Sequence, residues 1–272
     1  MSKYFEEHHS LYPLRFEAIT SQESGILVPR KAVINATTDK VVGVVGEKYQ
    51  LIPNRELVEK FEKYLDETDV QYTKLSLETT GRMNQKFRAK YKFPSIKFSN
   101  GDVTLKSRKT VVDDVQMMVE LFNSYDGSGT WGLKLGGYRL VCLNGLRVME
   151  EMFRLANFHT AQAAEEFETR MIVDFQACKN LFNNNLTKNW TAMKNADFDR
   201  LRAYEILKAL DLNKRYDDAL TELFKVRQQA KSLETMWDFY NMITWFATHV
   251  VDQKNMALAN QISASAQREI LR

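Results

Sequence analysis

The sequence has few of the features that would assign a function directly. Among its 272 residues there are only two cysteines, Cys142 and Cys178, and neither belongs to a CxxC or Cys/His ligand pattern. No stretch approaches the roughly 18 apolar residues that span a bilayer, and the start, MSKYFEEHHSLYPL, lacks the apolar run of a secretory signal. We therefore expect a reduced protein of the cytoplasm with no membrane partner.

Catalytic motifs are missing as well. The chain contains no GxxxxGK[ST], GxGxxG, GxSxG or HExxH pattern. Asp113 and Asp114 are adjacent on a predicted strand and therefore point to opposite faces, and Glu120 is not on the face of Asp113. This arrangement disfavours a metal-dependent nuclease. We predict no catalytic residue, no metal and no cofactor.

The chain changes character after residue 150. Residues 153–272 contain neither proline nor glycine and carry apolar residues at three- and four-residue spacings, which predicts helices. Residues 30–150 are typical of strands. The predicted fold class is α+β, with an N-terminal mixed, largely antiparallel sheet and one or two helices, followed by an all-helical C-terminal half. The predicted domains are a nucleic-acid-binding core at 1–150 and a helical bundle for assembly or partner docking at 151–272.

Short turn signals divide the β-rich part. Residues 100–101 (NG) predict a two-residue hairpin, residues 125–129 (YDGSG) predict a tight turn, and residues 136–137 (GG) predict a break between strands. Residues 54–67 (NRELVEKFEKYLDE) have the period of an amphipathic helix. The expected helix caps are Asn54, Thr160, Asp197 and Ser232.

Positive charge is concentrated in one segment. The whole chain carries a net charge of only +3. Residues 71–110 hold ten Lys and Arg against Glu78 and Asp102, a net of +8, so the remainder of the chain carries −5. Within this segment, residues 81–94 (GRMNQKFRAKYKFP) alternate basic with mainly apolar side chains, which predicts a strand with one cationic and one apolar face.

The cationic face has two interpretations. Lysines are common on the solvated outer face of a sheet, where they discourage edge pairing. No acidic residue occurs from Gly81 to Gly101, however, and cations at alternate strand positions suit the phosphates of a nucleic acid. Rings such as Tyr91 and Phe93 could stack on bases, although the alternation puts them on the opposite face. The predicted nucleic-acid-binding residues are Arg82, Lys86, Arg88, Lys90, Lys92, Lys97, Lys106, Arg108 and Lys109.

Three segments together carry a resemblance to a known family. They are GVVGEKYQLIPN, FNSYDGSGTWGLKLGGYRLVCLNGL and MWDFYNMITWFATHVV. They resemble the domain-of-unknown-function 932 family of phage, prophage and plasmid proteins, which has an N-S-x-D-G-S turn, an R-x-V-C-x-N-G segment and a late W-x-x-x-N-x-x-T helix ending in His. The resemblance implies a mobile-element origin without an established activity. It marks as motif positions Asn123, Asp126, Arg139, Asn144, His159, Trp237, Asn241 and His249.

Two of these motif positions carry structural expectations. Arg139 lies between Tyr138 and Leu140 in an otherwise apolar strand, so we expect it to pair with Asp126. His249 lies on an apolar, aromatic helix, so we expect it to be a hydrogen-bonded packing histidine.

The first functional hypothesis is a non-enzymatic, phage-type DNA-binding protein. Most concretely, it is a single-strand annealing or recombination-mediator protein that binds single-stranded DNA and forms a homo-oligomer in the host cytoplasm. The basic segment favours this hypothesis, and the similarity in size and layout to phage annealing proteins is an analogy of architecture alone. The alternative is an anti-defence or regulatory protein that binds a host or phage protein. A hydrolase that uses Asp126, Arg139, Asn144 and His159 is a third candidate, without a nucleophile–base spacing behind it.

Overall fold

The computed structural model describes residues 9–104, 110–139, 148–251 and 255–272. The chain divides into two compact units, one of Met1–Met149 with Phe153–Lys179 and one of Glu150–Met152 with Asn180–Arg272. Antiparallel sheets and a helix come first and a helical part follows, so the predicted α+β class is confirmed.

A three-stranded antiparallel sheet opens the first unit. Its strands are β1 (Leu14–Thr20), β2 (Leu27–Asn35) and β3 (Lys40–Gly46), in the order β1-β2-β3. The sheet begins well before residue 30, where the sequence analysis placed no strand. The missed strand, β1, has side chains that are all exposed or half-buried, so its apolar pattern is weak.

A five-stranded sheet forms the larger part of the first unit, after helix α1 (Asn54–Glu67). The strands follow one another in chain order across the sheet. They are β4 (Thr73–Thr80), β5 (Lys86–Thr104), β6 (Thr110–Ser124), β7 (Trp131–Arg139) and β8 (Val148–Asn157).

Strand β5 runs through the predicted hairpin at Asn100-Gly101, and that prediction is wrong. Ser99 pairs with Asp114 and Asp102 pairs with Val112, so two residues of β5 oppose one residue of β6. The extra residue forms a β-bulge. A bulge accommodates glycine as readily as a tight turn does, which explains why the local signal was ambiguous.

Strand β7 likewise continues through Gly136 and Gly137. The two glycines pair with Met118 and Met117 of β6, so the predicted break between strands is wrong. The turn predicted at 125–129 is confirmed, because β6 ends at Ser124 and β7 begins at Trp131. Pairing with a long neighbouring strand overrides the local preference of glycine for turns.

The inner face of the five-stranded sheet packs against helices. Tyr91 and Phe93 of β5 project towards Phe61 of α1 and Phe175 of a later helix, with ring centroids 5.1 Å apart in the Phe61–Tyr91 pair and in the Phe93–Phe175 pair. Phe61 and Phe175 also meet edge to face at 5.5 Å. These rings are fully buried, so they form the centre of this core.

Helices follow the sheet. Those whose residues lie mostly in the first unit are α2 (Ala161–Glu165) and α3 (Phe167–Leu181). The second unit contains a short π-helix (Phe182–Leu186), α4 (Thr187–Asn195), α5 (Arg200–Ala209), α6 (Lys214–Gln229), α7 (Met236–His249) and α8 (Met256–Ile270). Of the helices within the described ranges, none has both the length and the apolar character that crossing a membrane requires.

The predicted helix caps are partly correct. Thr160 caps α2 through its side chain, as expected. Asp197 and Ser232 do not cap helices, because Asp199 caps α5 and Thr235 caps α7 instead. Several polar residues precede each of these helices, and the residue that caps is the one at which the backbone enters the helix.

Two glycines of β3 provide a test of the contact between β3 and the turn that follows β6. A Cβ built on Gly43 would lie 2.0 Å from the backbone oxygen of Tyr125, whereas one built on Gly46 would meet nothing within 4 Å. We expect Gly43→Ala to lower the free energy of unfolding by about 1–3 kcal/mol through overpacking. The control, Gly46→Ala, is expected to change it by less than about 1 kcal/mol. Urea unfolding measures both, and equal effects would contradict the close approach.

Candidate nucleic-acid interface

The alternation predicted for the cationic segment is present in β5. Phe87, Ala89, Tyr91 and Phe93 are buried, while Lys86 and Arg88 are exposed and Lys90 and Lys92 are half-buried on the other face. The strand begins at Lys86 rather than at Gly81. Residues 81–85 form a turn instead, with positive φ at Gly81 and Asn84, so Arg82 does not belong to the row.

Two basic residues that the sequence analysis missed join this face from neighbouring strands. Lys134 of β7 lies opposite Glu120 of β6, which in turn lies opposite Lys90. Arg154 of β8 places its guanidinium 4.6 Å from the ring centroid of Phe122 and donates to Thr130 Oγ1 at 3.2 Å. Only the strand register brings these residues together, so no local sequence pattern could have found them.

A buried carboxylate lies in the middle of the cationic side chains. Glu120 is 3% exposed, and its oxygens lie 3.3 Å from Lys134 Nζ, 3.8 Å from Arg88 Nε and 3.9 Å from Lys90 Nζ. Lys90 also lies 3.5 Å from Glu78. A buried carboxylate surrounded by three cations holds their head groups near one another and cancels part of their charge.

We call this surface the basic face. Its six basic side chains outnumber the three nearby carboxylates, Glu78, Glu120 and Asp126, which leaves a net charge of +3 among these described side chains. The basic residues of the face are Lys86, Arg88, Lys90, Lys92, Lys134 and Arg154.

Aromatic rings do not project freely from the basic face. Tyr91, Phe93 and Phe98 are buried. Phe122 lies beneath Lys134 and Arg154, and Tyr138 lies beneath Lys92, with Nζ 5.0 Å from the ring centroid. The rings therefore support the cations and are not available as a base-stacking platform, so the face offers charge rather than aromatic surface.

The other predicted nucleic-acid contacts lie elsewhere. Lys97 Nζ pairs with Asp114 Oδ2 at 2.5 Å, so its charge is neutralised within the sheet. Lys106, Arg108 and Lys109 lie outside the described residues.

The motif residue Asn123 joins the start of α1 to the end of β6. Its amide donates to the Ile52 carbonyl at 2.7 Å and to Asn54 Oδ1 at 3.0 Å. Asn54 is the first residue of α1 rather than its cap, and its backbone amide donates to the Tyr125 hydroxyl at 2.6 Å. The whole network is buried, so Asn123 has a structural role.

Asp126 organises the turn that follows β6. Its Oδ1 accepts hydrogen bonds from Ser124 Oγ at 2.6 Å, from Ser128 Oγ at 2.7 Å and from the Ser128 amide at 2.9 Å. Burial raises the pKa of this carboxyl, but the hydrogen bonds from Ser124 and Ser128, together with the charge of Lys86, outweigh it and lower the pKa. The carboxylate therefore stays ionised.

The predicted ion pair between Asp126 and Arg139 is wrong. Arg139 pairs with Val115 at the far end of β7, whereas the turn that contains Asp126 lies next to the Phe122–Gly132 pair. Seven residues along a strand separate these ends, about 23 Å. The serines of the turn satisfy Asp126 instead.

His159 lies close to the same turn. Its ring stacks on Tyr49 with centroids 4.4 Å apart, and the Tyr49 hydroxyl donates to the Ser124 carbonyl at 2.6 Å. His159 Nδ1 lies 3.1 Å from the Gln50 carbonyl. Burial lowers the pKa of His159 to about 4, only partly opposed by that hydrogen bond. The ring is therefore neutral at physiological pH and acts as a packing group.

The remaining described motif residues lie on α7, in the second unit. Trp237 is buried, with its ring 6.0 Å from Trp190, and Asn241 is half-buried. His249 stacks on Trp245 at 4.7 Å and its Nδ1 lies 2.9 Å from the Trp245 carbonyl, as expected for a packing histidine. Asn144 lies outside the described residues.

Most of the chain matches a known family of proteins. Residues 41–269 match the family described as a domain of unknown function, DUF932. The chain belongs to the DUF932 family. No curated protein and no solved structure matches it. The resemblance inferred from the motifs is thus confirmed.

This DUF932 protein shows no metal centre in the part of the chain that the structure describes, since no group of three His, Cys, Asp or Glu residues there could hold an ion. Cys178 is buried, and its burial, with a contribution from Asp174, raises the pKa of the thiol to about 12. A thiol with such a pKa stays protonated and unreactive.

The lowered pKa of His159 predicts a pH-dependent stability for this DUF932 protein. The unfolded chain takes up a proton near pH 6.5, but the folded chain does so only near pH 4. The contribution of His159 to the free energy of unfolding is therefore fully present well above pH 6.5 and is lost as the pH falls towards 4. The loss between pH 7.5 and pH 5 is about 2 kcal/mol. His159→Gln should remove that part of the pH dependence in urea unfolding. An equal slope in wild type and variant would contradict a buried neutral ring.

The turn of the DUF932 motif can be tested by a double-mutant cycle. Asp126→Ala and Ser128→Ala should each lower stability, with a coupling energy of about 1 kcal/mol, because they remove the same charge-assisted hydrogen bonds in a partly exposed turn. The matched cycle of Asp126→Ala with Arg139→Gln should be additive. Coupling between Asp126 and Arg139, with none between Asp126 and Ser128, would contradict this assignment and support the ion pair instead.

Proposed function

We propose that this DUF932 protein is a non-enzymatic protein that binds single-stranded DNA through the basic face and promotes strand annealing. The observation that carries the proposal is the gathering of six basic side chains from β5, β7 and β8 on one face of the sheet, with a net charge of +3 when the three nearby carboxylates are counted. The mobile-element origin implied by the family resemblance supports a role in recombination.

The arrangement of the cations suits an extended polyanion. The row from Lys86 to Lys92 follows one strand, so it covers about 20 Å with a cation every 6.6–6.8 Å or so. A single strand can lie along such a row and release its counterions.

The ion pairs within the basic face determine which of its residues can be replaced to test DNA binding without a large loss of stability. Lys90 and Lys134 hold the buried Glu120, so replacing either would leave a buried charge with fewer partners. Arg88 Nε also lies 3.8 Å from Glu120, but Lys86 and Arg88 are exposed, and Lys90 and Lys134 stay beside the carboxylate when these two are changed. We therefore expect the double change to cost about 1 kcal/mol or less.

The double variant Lys86→Gln/Arg88→Gln should weaken binding to a single-stranded oligonucleotide. Each lost phosphate contact reduces the slope of log affinity against log salt by about 0.7, so the slope should flatten by about 1.4 units. Fluorescence anisotropy over a salt series measures this. The matched control is Arg30→Gln/Lys40→Gln, which removes the same charges from exposed positions of β2 and β3 and should leave the slope unchanged.

Two further measurements test the proposal: the affinity for single-stranded and for duplex DNA, and the rate at which complementary strands anneal. Single-stranded DNA should bind more tightly than duplex DNA of the same length, and the protein should speed the annealing of complementary strands. Equal slopes for wild type and both double variants, or no salt-sensitive binding by wild type, would refute the basic face as the interface.

A further inference from the structure

A second basic surface lies within the helical unit. It is a cleft of about 750 Å³ between α5, α6 and the segment that joins α6 to α7. Its lining includes Phe198, Arg200, Tyr204, Lys225, Lys231 and Glu234. The volume falls in the range of clefts that hold small ligands.

Two half-buried aromatic rings form part of the cleft wall. Phe198 and Tyr204 both pack against the fully buried Phe224, at centroid distances of 6.2 Å and 5.1 Å, with Tyr204 edge-on at 87°. Phe198 also contacts the buried Phe239 at 6.0 Å. The core therefore fixes both rings on one side, while their exposed surface borders the cleft.

Positive charge surrounds these rings. Arg200, Lys225 and Lys231 are exposed and line the cleft with a single carboxylate, that of Glu234, so the local net charge is +2. Within the described residues, none of these three cations forms an ion pair at salt-bridge distance. The Arg200 guanidinium lies over the Tyr204 ring, 5.8 Å from its centroid, so a cation already stands next to the half-buried ring.

We infer that this cleft binds a nucleotide unit, with its base against the Tyr204 ring and its phosphate against the cations. A ring next to a cation is the combination by which proteins hold single-stranded bases. The basic face provides charge but no free ring, so the cleft supplies the other half of this chemistry. The inference does not depend on the basic face, because it rests on residues of the helical unit alone.

The test separates stacking from charge by changing both the protein and the ligand. In the full chain, Tyr204→Leu removes the ring and keeps an apolar side chain, whereas Tyr204→Phe keeps the ring. Affinity for a short deoxyadenosine oligomer should fall about five- to tenfold in Tyr204→Leu and stay near wild type in Tyr204→Phe. Affinity for an abasic oligomer of the same length should be equal in all three proteins.

Charge is tested in parallel. Lys225→Gln/Lys231→Gln should weaken binding of both oligomers, whereas Lys208→Gln/Lys214→Gln, a matched pair of exposed lysines outside the cleft lining, should not. Titration with deoxyadenosine monophosphate distinguishes the source of the nucleotide. Binding that Tyr204→Leu weakens indicates a site for free nucleotides, and binding of the oligomer alone indicates a site for a strand.

Three results would overturn the inference: wild-type affinity in Tyr204→Leu, an equal loss for the abasic oligomer, or an equal loss in Tyr204→Phe. The outcome is distinguishable from failure of the proposed function. If Lys86→Gln/Arg88→Gln binds like wild type while Tyr204→Leu does not, the basic face fails as the interface and the cleft stands.

Discussion

The burial of the aromatic row of β5 is the constraint on which the basic face depends. Phe61 and Phe175 pack on Tyr91 and Phe93, and the Tyr91 hydroxyl donates to Glu62 Oε1 at 2.8 Å. Side chains alternate strictly along a strand, so fixing this row against α1 and α3 forces the basic residues to the opposite face. The position of the cations on one face thus follows from the register of β5, which the buried aromatic core fixes.

Glu120 makes the basic face more than a set of solvated lysines. A carboxylate that is 3% exposed would be costly without compensation, and three cations from two strands supply it. The same contacts restrict the cationic head groups and reduce their net charge. The face is therefore ordered at its centre around Glu120, whereas Lys86 at its margin is exposed and lies near the carboxylate of Asp126.

Local patterns in the sequence predicted some elements well and failed where distant strands decide the structure. The alternation of β5, the helix α1 and the turn around Asp126 were correct because their signals are contiguous. The hairpin at residues 100–101 and the break at 136–137 were wrong because strand pairing overrode a local preference. Lys134 and Arg154 were missed for the same reason, since their place on the basic face follows from register alone.

The two candidate surfaces differ in what they can recognise. Contacts between cations and phosphates carry no information about bases, so the basic face alone would bind any extended polyanion. Recognition of unpaired bases requires exposed aromatic surface, because a base in a duplex keeps its faces stacked. The described rings on the basic face, Phe122 and Tyr138, are buried beneath basic side chains. Phe198 and Tyr204 are only half-buried and line an open cleft, where Arg200 lies over the Tyr204 ring. If both proposals hold, preference for single strands would come from the cleft of the helical unit, and the basic face would contribute affinity.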